Sequence, residues 1–299
     1  MSLDLLYNIE EILCASEDFE VEIKPLLILE GKTDEDTYYK VLDKAKIDMN
    51  ELEIILANGK TNIIKFYNRY KDKIKYVAIL DTDHSHRNNS KIEDKNLLYT
   101  HFYDMENYLT SIDVVYSTYE DFKDVKTLKL SKEELLKKMA IIAYPSLLVT
   151  EYKLSYIEKE SIKATIYSIS DIIKIKDTRL NLDKLEDIED IVRERIKKYF
   201  ISKSIDFDID LWNTVVKEVK ENIKNKSIQE LDKYIQNMIK GRRLLEIYEV
   251  LFNNILGLKM KYRKGDIFIA DLRKNIFNSK ECILLVNNLE YSLNNIINN

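Results

Sequence analysis

Residues 26–42 read LLILEGKTDEDTYYKVL, an apolar run that ends in a glutamate and a glycine and then meets the consecutive acids Asp34, Glu35 and Asp36. A short, uninterrupted run of branched residues is the signature of a parallel strand covered on both faces, not of a half-solvated one. In an open parallel sheet, ligands bind beyond the carboxyl ends of the strands, so charge at such an end is a functional signal.

The pattern continues outward from this stretch. It predicts a strand over 26–30, a helix over about 34–46, a strand over 52–57, a helix over 61–72, a strand over 75–80, an irregular polar stretch and a strand over 97–102. Ahead of it, Leu5, Ile9, Ile12 and Leu13 recur at helical spacing over 4–15, and Lys24-Pro25 closes that segment. From about 104 to 262 the chain changes to amphipathic helical patterns, among them SKEELLKKMAIIAY and SIQELDKYIQNMIKGRRLLEIYEVLFNNIL. The expected fold class is therefore α/β plus all-α. Residues 1–112 should form a mostly parallel sheet of about four strands flanked by helices, and residues 113–299 a helical domain. The last segment, with a short apolar stretch and a terminal helix, is able to pack back on the first unit.

Composition narrows the function classes. Hydrophobic residues at 45% and charged residues at 33% describe a globular chain, and no apolar run approaches the roughly 18 residues that span a bilayer, so no membrane partner is expected. Acids in MSLDLLYNIEEIL stand where a secretory signal would carry basic residues, and two cysteines, Cys14 and Cys282, make no disulfide framework. A cytoplasmic protein with core cysteines is the expectation. The formal net charge of −5 argues against nucleic-acid binding by bulk electrostatics, so any such contact must be local or metal-assisted.

Acidic groups stand at several expected strand ends: Glu30 after the first strand, Asp81 and Asp83 in YVAILDTDHS after the third, and Asp104 and Glu106 in LLYTHFYDMENYL after the fourth. Carboxylates converging from neighbouring strands repel unless a hard cation lies between them, and Mg²⁺ suits an all-oxygen set. If the third strand continues past Leu80, alternation puts Asp81 and Asp83 on one side, able to share an ion. Each residue also has a plainer reading. Glu30 and Asp34 can complement a helix N-terminus, while Glu35 and Asp36 read as a wet helix face. Gly59-Lys60 lies where the second strand turns into a helix, a place suited to a phosphate, though LANGKTN lacks the G-x-x-x-x-G-K-[ST] frame. His84 and His86 read as solvated loop residues, Arg87 and Lys91 as possible phosphate contacts, and Asn107 as a brace for Glu106. The tightest basic cluster, Lys240, Arg242 and Arg243, reads equally as helix-end charge complementation or as a phosphate-backbone contact.

The order Glu30-Gly31-Lys32-Thr33-Asp34, then Gly59-Lys60, then Asp81-Thr82-Asp83, then Glu106-Asn107, in an α/β unit, resembles the TOPRIM domain of topoisomerases, primases and OLD-type nucleases. It resembles more closely the TOPRIM branch, fused to a helical domain, that serves as effector of ATPase-coupled anti-phage systems of the PARIS type. The motifs cover residues 26–110, and a looser likeness extends to Lys240-Gly241-Arg242. The resemblance implies a Mg²⁺-dependent endonuclease with room for two ions and with Mn²⁺ able to substitute. Glu30 would be ligand or acid/base, Asp81 and Asp83 metal ligands, Asp34 and Glu106 ligands of a second ion, and Gly59 and Lys60 contacts to the substrate phosphate. It further implies a toxic defence effector acting on RNA such as tRNA, with DNA as the rival substrate, an ABC-type ATPase sensor as partner, and room for a homodimer. Ser85 replaces the third aspartate of the topoisomerase D-x-D-x-D pattern, which favours hydrolysis over strand passage. The alternative from another class is a non-catalytic assembly subunit.

Overall fold

In a computed structural model of the chain, which describes residues 23–31, 35–84, 91–122, 130–160, 185–255 and 265–298, the run LLIL forms strand β1 (Leu26–Leu29), buried along its whole length. Helix α1 (Glu35–Lys44) follows, ending where Lys46 turns to a φ of 55°. Then come β2 (Glu53–Leu56), α2 (Lys60–Tyr70), β3 (Tyr76–Leu80) and the short β4 (Leu97–Tyr99). The sheet is four-stranded, all parallel, in the order β2-β1-β3-β4. The leading segment 4–15, with Cys14, lies outside the described residues.

This order reverses direction at β1: the chain leaves β1 to one side to make β2, then crosses back over β1 to make β3 on the other. Such a reversal puts the connecting helices on opposite faces and leaves a crevice between the carboxyl ends of β1 and β3. The packing agrees. One face, carrying Leu26, Ile28, Tyr76, Ala78 and Leu80, packs with Ile63, Phe66 and Tyr70 of α2, where Phe66 meets Tyr76 edge-on at 5.0 Å. Helix α11 (Lys280–Ile297), N-capped by Ser279, packs on α1 and on β3. The residues up to Tyr108 and those from Ile276 onward make up one compact unit, and Leu109–Asn275 make up another.

The second unit is helical: α3 (Asn107–Thr110) leads into α4 (Ile112–Phe122), α5 (Lys132–Glu160), α6 (Glu186–Ser202), α7 (Ile209–Asn225), α8 (Ile228–Met238), α9 (Gly241–Ile255) and α10 (Gly265–Lys274). Helix α5 is its axle, packing against α4, α6, α7, α8 and α9. Being surrounded, it is largely buried along its central turns, with Leu135, Met139, Tyr144, Leu147, Leu148 and Tyr152 all buried, while the first turns keep Glu133, Glu134 and Lys137 exposed. Tyr152 stacks on Phe207 at 5.2 Å and meets Phe200 and Trp212 edge-on at 5.5 and 5.9 Å. The single long amphipathic pattern over residues 227–256 is two helices: Ile239, extended at φ −126°, ends α8 before Gly241 starts α9. The apolar stretch GDIFIA is helical, within α10. Among the described residues, no helix is long and apolar enough to cross a membrane.

A buried polar knot ties distant parts of this unit together. The Gln236 amide donates to the carbonyl of Thr110 (2.5 Å) and to Asp232 (3.1 Å), Thr110 donates to the Gln236 oxygen (2.9 Å), and Asp232 accepts the Ile112 N–H (3.1 Å). Gln236→Leu would strand the Thr110 groups in a dry interior. We expect it to cost about 1–3 kcal/mol of unfolding free energy, read as a lowered denaturant midpoint.

Candidate functional site

At the β1 end, backbone bonds fix the neighbouring loop. Ala57 N–H donates to Leu29 O and Gly59 N–H to Glu30 O, both at 2.8 Å, so β2 stays in register until the chain turns away. The turn passes through Asn58 (φ 55°) and Gly59 (φ 115°, ψ 152°). Open space surrounds the position where a Cβ would sit on Gly59, so backbone conformation alone is what requires glycine there. Gly59 is the N-cap of α2 and supplies no side chain to cap it.

Glu30 fills that role from outside the helix. Its Oε2 accepts the Asp81 N–H at 3.0 Å, and the backbone N–H of Lys60 also reaches it. The carboxylate therefore joins the end of β1, the end of β3 and the start of α2. Burial pushes its pKa above the usual 4.5; the Asp81 N–H pulls it back, Asp83 raises it further, and Lys60 opposes that rise. The plain reading of Glu30 as a helix N-terminal charge and its reading as a site acid describe one placement.

The Asp81-Thr82-Asp83 segment is held by its central residue. Thr82 is buried; its N–H donates to Thr100 Oγ1 at 2.9 Å, and its hydroxyl donates to the Thr100 carbonyl. The strand ends where the sequence predicts, so the condition for alternation is not met. β3 stops at Leu80, and Asp83 turns to φ 48° with its N–H on the Tyr103 carbonyl at 2.7 Å. The course of the Asp81-Thr82-Asp83 segment is thus set by a loop pinned to the β4 side, not by strand alternation. His84 packs edge-on to Tyr103 at 4.7 Å.

Lys60 ties the elements together: its Nζ donates to Asp81 O at 2.8 Å and to Asp83 Oδ2 at 3.3 Å. It also lies 5.6 Å from the centre of the Tyr99 ring, and Lys91 lies 5.1 Å from the same centre. Beyond β4, Asp104 and Asn107 are buried and exchange hydrogen bonds, Asn107 N–H to Asp104 Oδ1 at 3.2 Å and Asp104 N–H to Asn107 Oδ1 at 3.1 Å. Asp104 thus caps the start of α3, and Asn107 braces Asp104 in return, not Glu106, which is half-buried beside them.

The structure accordingly brings together Glu30, Gly59, Lys60, Asp81 and Asp83. Among the described residues, no three His, Cys, Asp or Glu side chains gather closely enough to hold a metal ion. Asp34, His86 and Arg87 lie outside the described residues. Lys240, Arg242 and Arg243 belong to the helical unit, at the N-terminus of α9. Lys240 directly follows the C-cap of α8, Ile239, where a basic residue complements the helix dipole, whereas Arg242 and Arg243 stand in the first turn of α9 and oppose its dipole. Arg243 pairs with Glu246 at 2.6 Å. Sequence reasoning named Lys60 but not its bonds to the Asp81-Asp83 segment, and it missed Tyr99; an aromatic ending the fourth strand was the available signal. Compared with known proteins, the chain matches no family model and no curated protein sequence.

Gly59→Ala should cost about 1–3 kcal/mol, because its φ and ψ lie in a region open almost only to glycine; a urea titration of the variant measures it. Glu30 gives a pH signature. Folding raises its pKa above 4.5, so the ionised carboxylate costs stability above the folded pKa, and that cost fades as the pH falls toward 4.5 and below. Glu30→Gln should therefore gain stability relative to the parent at pH 8 and lose that gain at pH 4, in paired denaturation curves.

Proposed function

We propose that the chain is a Mg²⁺-dependent nuclease of the TOPRIM type, a toxic effector of ATPase-coupled anti-phage defence that hydrolyses phosphodiester bonds in RNA, tRNA foremost. The observation that carries this reading is the meeting of Glu30, Lys60, Asp81 and Asp83 at the switch point between β1 and β3, where open parallel sheets bind ligands. These are the motif positions on which the resemblance rests.

Glu30, Asp81 and Asp83 carry oxygen donors of the kind a hard cation takes, but no three carboxylates gather among the described residues, so a bound ion would have to draw them together. The Lys60 ammonium bonded to Asp83 marks the place as one that takes positive charge. Bound by those carboxylates, with Asp34 and Glu106 available for a second ion, Mg²⁺ or Mn²⁺ would supply charge neutralisation at the phosphoryl oxygens and an acidified water. The chain's own groups divide the remaining work. Glu30, aimed by two backbone N–H groups and made more basic by burial, takes the proton of the attacking water. Lys60, at the start of α2 and beside the developing negative charge, stabilises the transition state. Lys240 and Arg242 offer the helical unit's contact to the nucleic-acid backbone, and an ABC-type ATPase is the expected partner.

The test is cleavage by purified protein of tRNA and of plasmid DNA, with Mg²⁺ or with EDTA. Glu30→Gln and Asp83→Asn should each lower the rate by about 100-fold or more, and EDTA should abolish it. Cleavage that persists in EDTA or in Glu30→Gln overturns the mechanism; cutting of plasmid alone moves the substrate to DNA.

A further inference from the structure

Tyr99 ends β4 with its ring on the same side as Lys60, and its hydroxyl accepts the Ile92 N–H at 3.1 Å, which fastens the chain next to Lys91 to the strand. Two ammonium groups consequently converge on one ring, Lys60 at 5.6 Å and Lys91 at 5.1 Å from its centre. One lysine over a tyrosine is ordinary cation–π packing. Two on the same ring repel each other, and only Lys60 has carboxylate and carbonyl acceptors to offset this. Among the described residues, neither a hydrogen bond nor an ion pair reaches the Lys91 ammonium, and its side chain is exposed.

We infer that Lys91 and Lys60, gathered on the Tyr99 ring, form a phosphate subsite beside the acidic crevice, which takes a phosphate of the polyanion next to the one under attack. The identity of the polyanion as nucleic acid rests on the nuclease reading; the anion site itself rests on the convergence. Lys91 answers to this arrangement, since partial desolvation of its ammonium against the Tyr99 ring, on a residue otherwise open to solvent, and the neighbouring Lys60 both push its pKa down. The subsite also meets the requirement set by a chain of net charge −5, that contact with a phosphate backbone be local. Lys91 is here a positioning residue, distinct from the groups at the reacting atoms.

The test labels lysines of the intact protein briefly with an acylating reagent and reads each site by mass spectrometry, in EDTA, with and without inorganic pyrophosphate or tRNA. Lys91 and Lys60 should be protected while the exposed Lys73 and Lys95 are not. In tRNA binding followed by anisotropy, Lys91→Gln should weaken affinity and reduce the salt slope by about 1, and Lys91→Arg should restore both. Protection by pyrophosphate in a protein that neither binds nor cuts nucleic acid keeps the subsite and removes the nuclease reading. Cleavage with unprotected Lys91 and an unchanged slope in Lys91→Gln keeps the nuclease reading and overturns the subsite, as does a lack of protection by either phosphate source.

Discussion

The hydrogen bond from the Asp81 N–H to the Glu30 carboxylate is the constraint on which the first unit's crevice depends. Parallel pairing brings β1 and β3 side by side but says nothing of what happens after Leu29 and Leu80, where the ladder ends. A carboxylate at that point accepts N–H groups that the ladder no longer serves, and so it extends the alignment of the strands by one more residue each. The same carboxylate sits at the open N-terminus of α2, whose cap, Gly59, has no side chain to offer. One side chain thus aligns two strands and a helix. Its cost is an anion held in partial burial, which the raised pKa expresses.

Much of this was legible in the sequence, for a physical reason. Buried parallel strands cannot alternate, so LLIL, EIIL and YVAIL announce both their structure and the layers that cover them. The acids at their ends stand out because nothing in the packing of such strands calls for them. What was not legible depends on contacts between residues far apart. The spacing of Lys60 from Asp83 carries no periodic signal, and neither does the pairing of Thr110 with Gln236. The course of the loop at Asp81-Thr82-Asp83 was not legible, because alternation speaks only for a strand that continues. Here the hydrogen-bonding needs of a buried threonine, together with a left-handed aspartate, turn the chain instead. The break between α8 and α9 escaped notice because the apolar spacing passes through it unbroken.

The helical unit follows a different logic. A sheet distributes its core over two faces, whereas α5 concentrates it on one element that its neighbours surround. The buried middle of such an axle has little solvent face to carry specificity, so the choice of partner falls to directional contacts along it. Examples are the Tyr234 hydroxyl donating to buried Glu151 (3.3 Å) and the Tyr144 hydroxyl donating to Glu189 (2.8 Å), itself paired with Lys220 at 2.6 Å. Tyr144, Tyr152 and Tyr234 serve here as long hydrophobic groups with a polar tip that reports whether the register is right.

The bond between Lys60 and Asp83 has a thermodynamic consequence. In domains whose acidic or thiolate ligands have no protein counter-ion, metal binding and folding are a single free energy, and a chelator unfolds the chain. This chain carries its own counter-ion on α2, so relief of repulsion between the acids is written into the polypeptide. Folding of this corner therefore does not wait on an added cation, and any cation drawn to Asp83 would have to compete with an ammonium already in place.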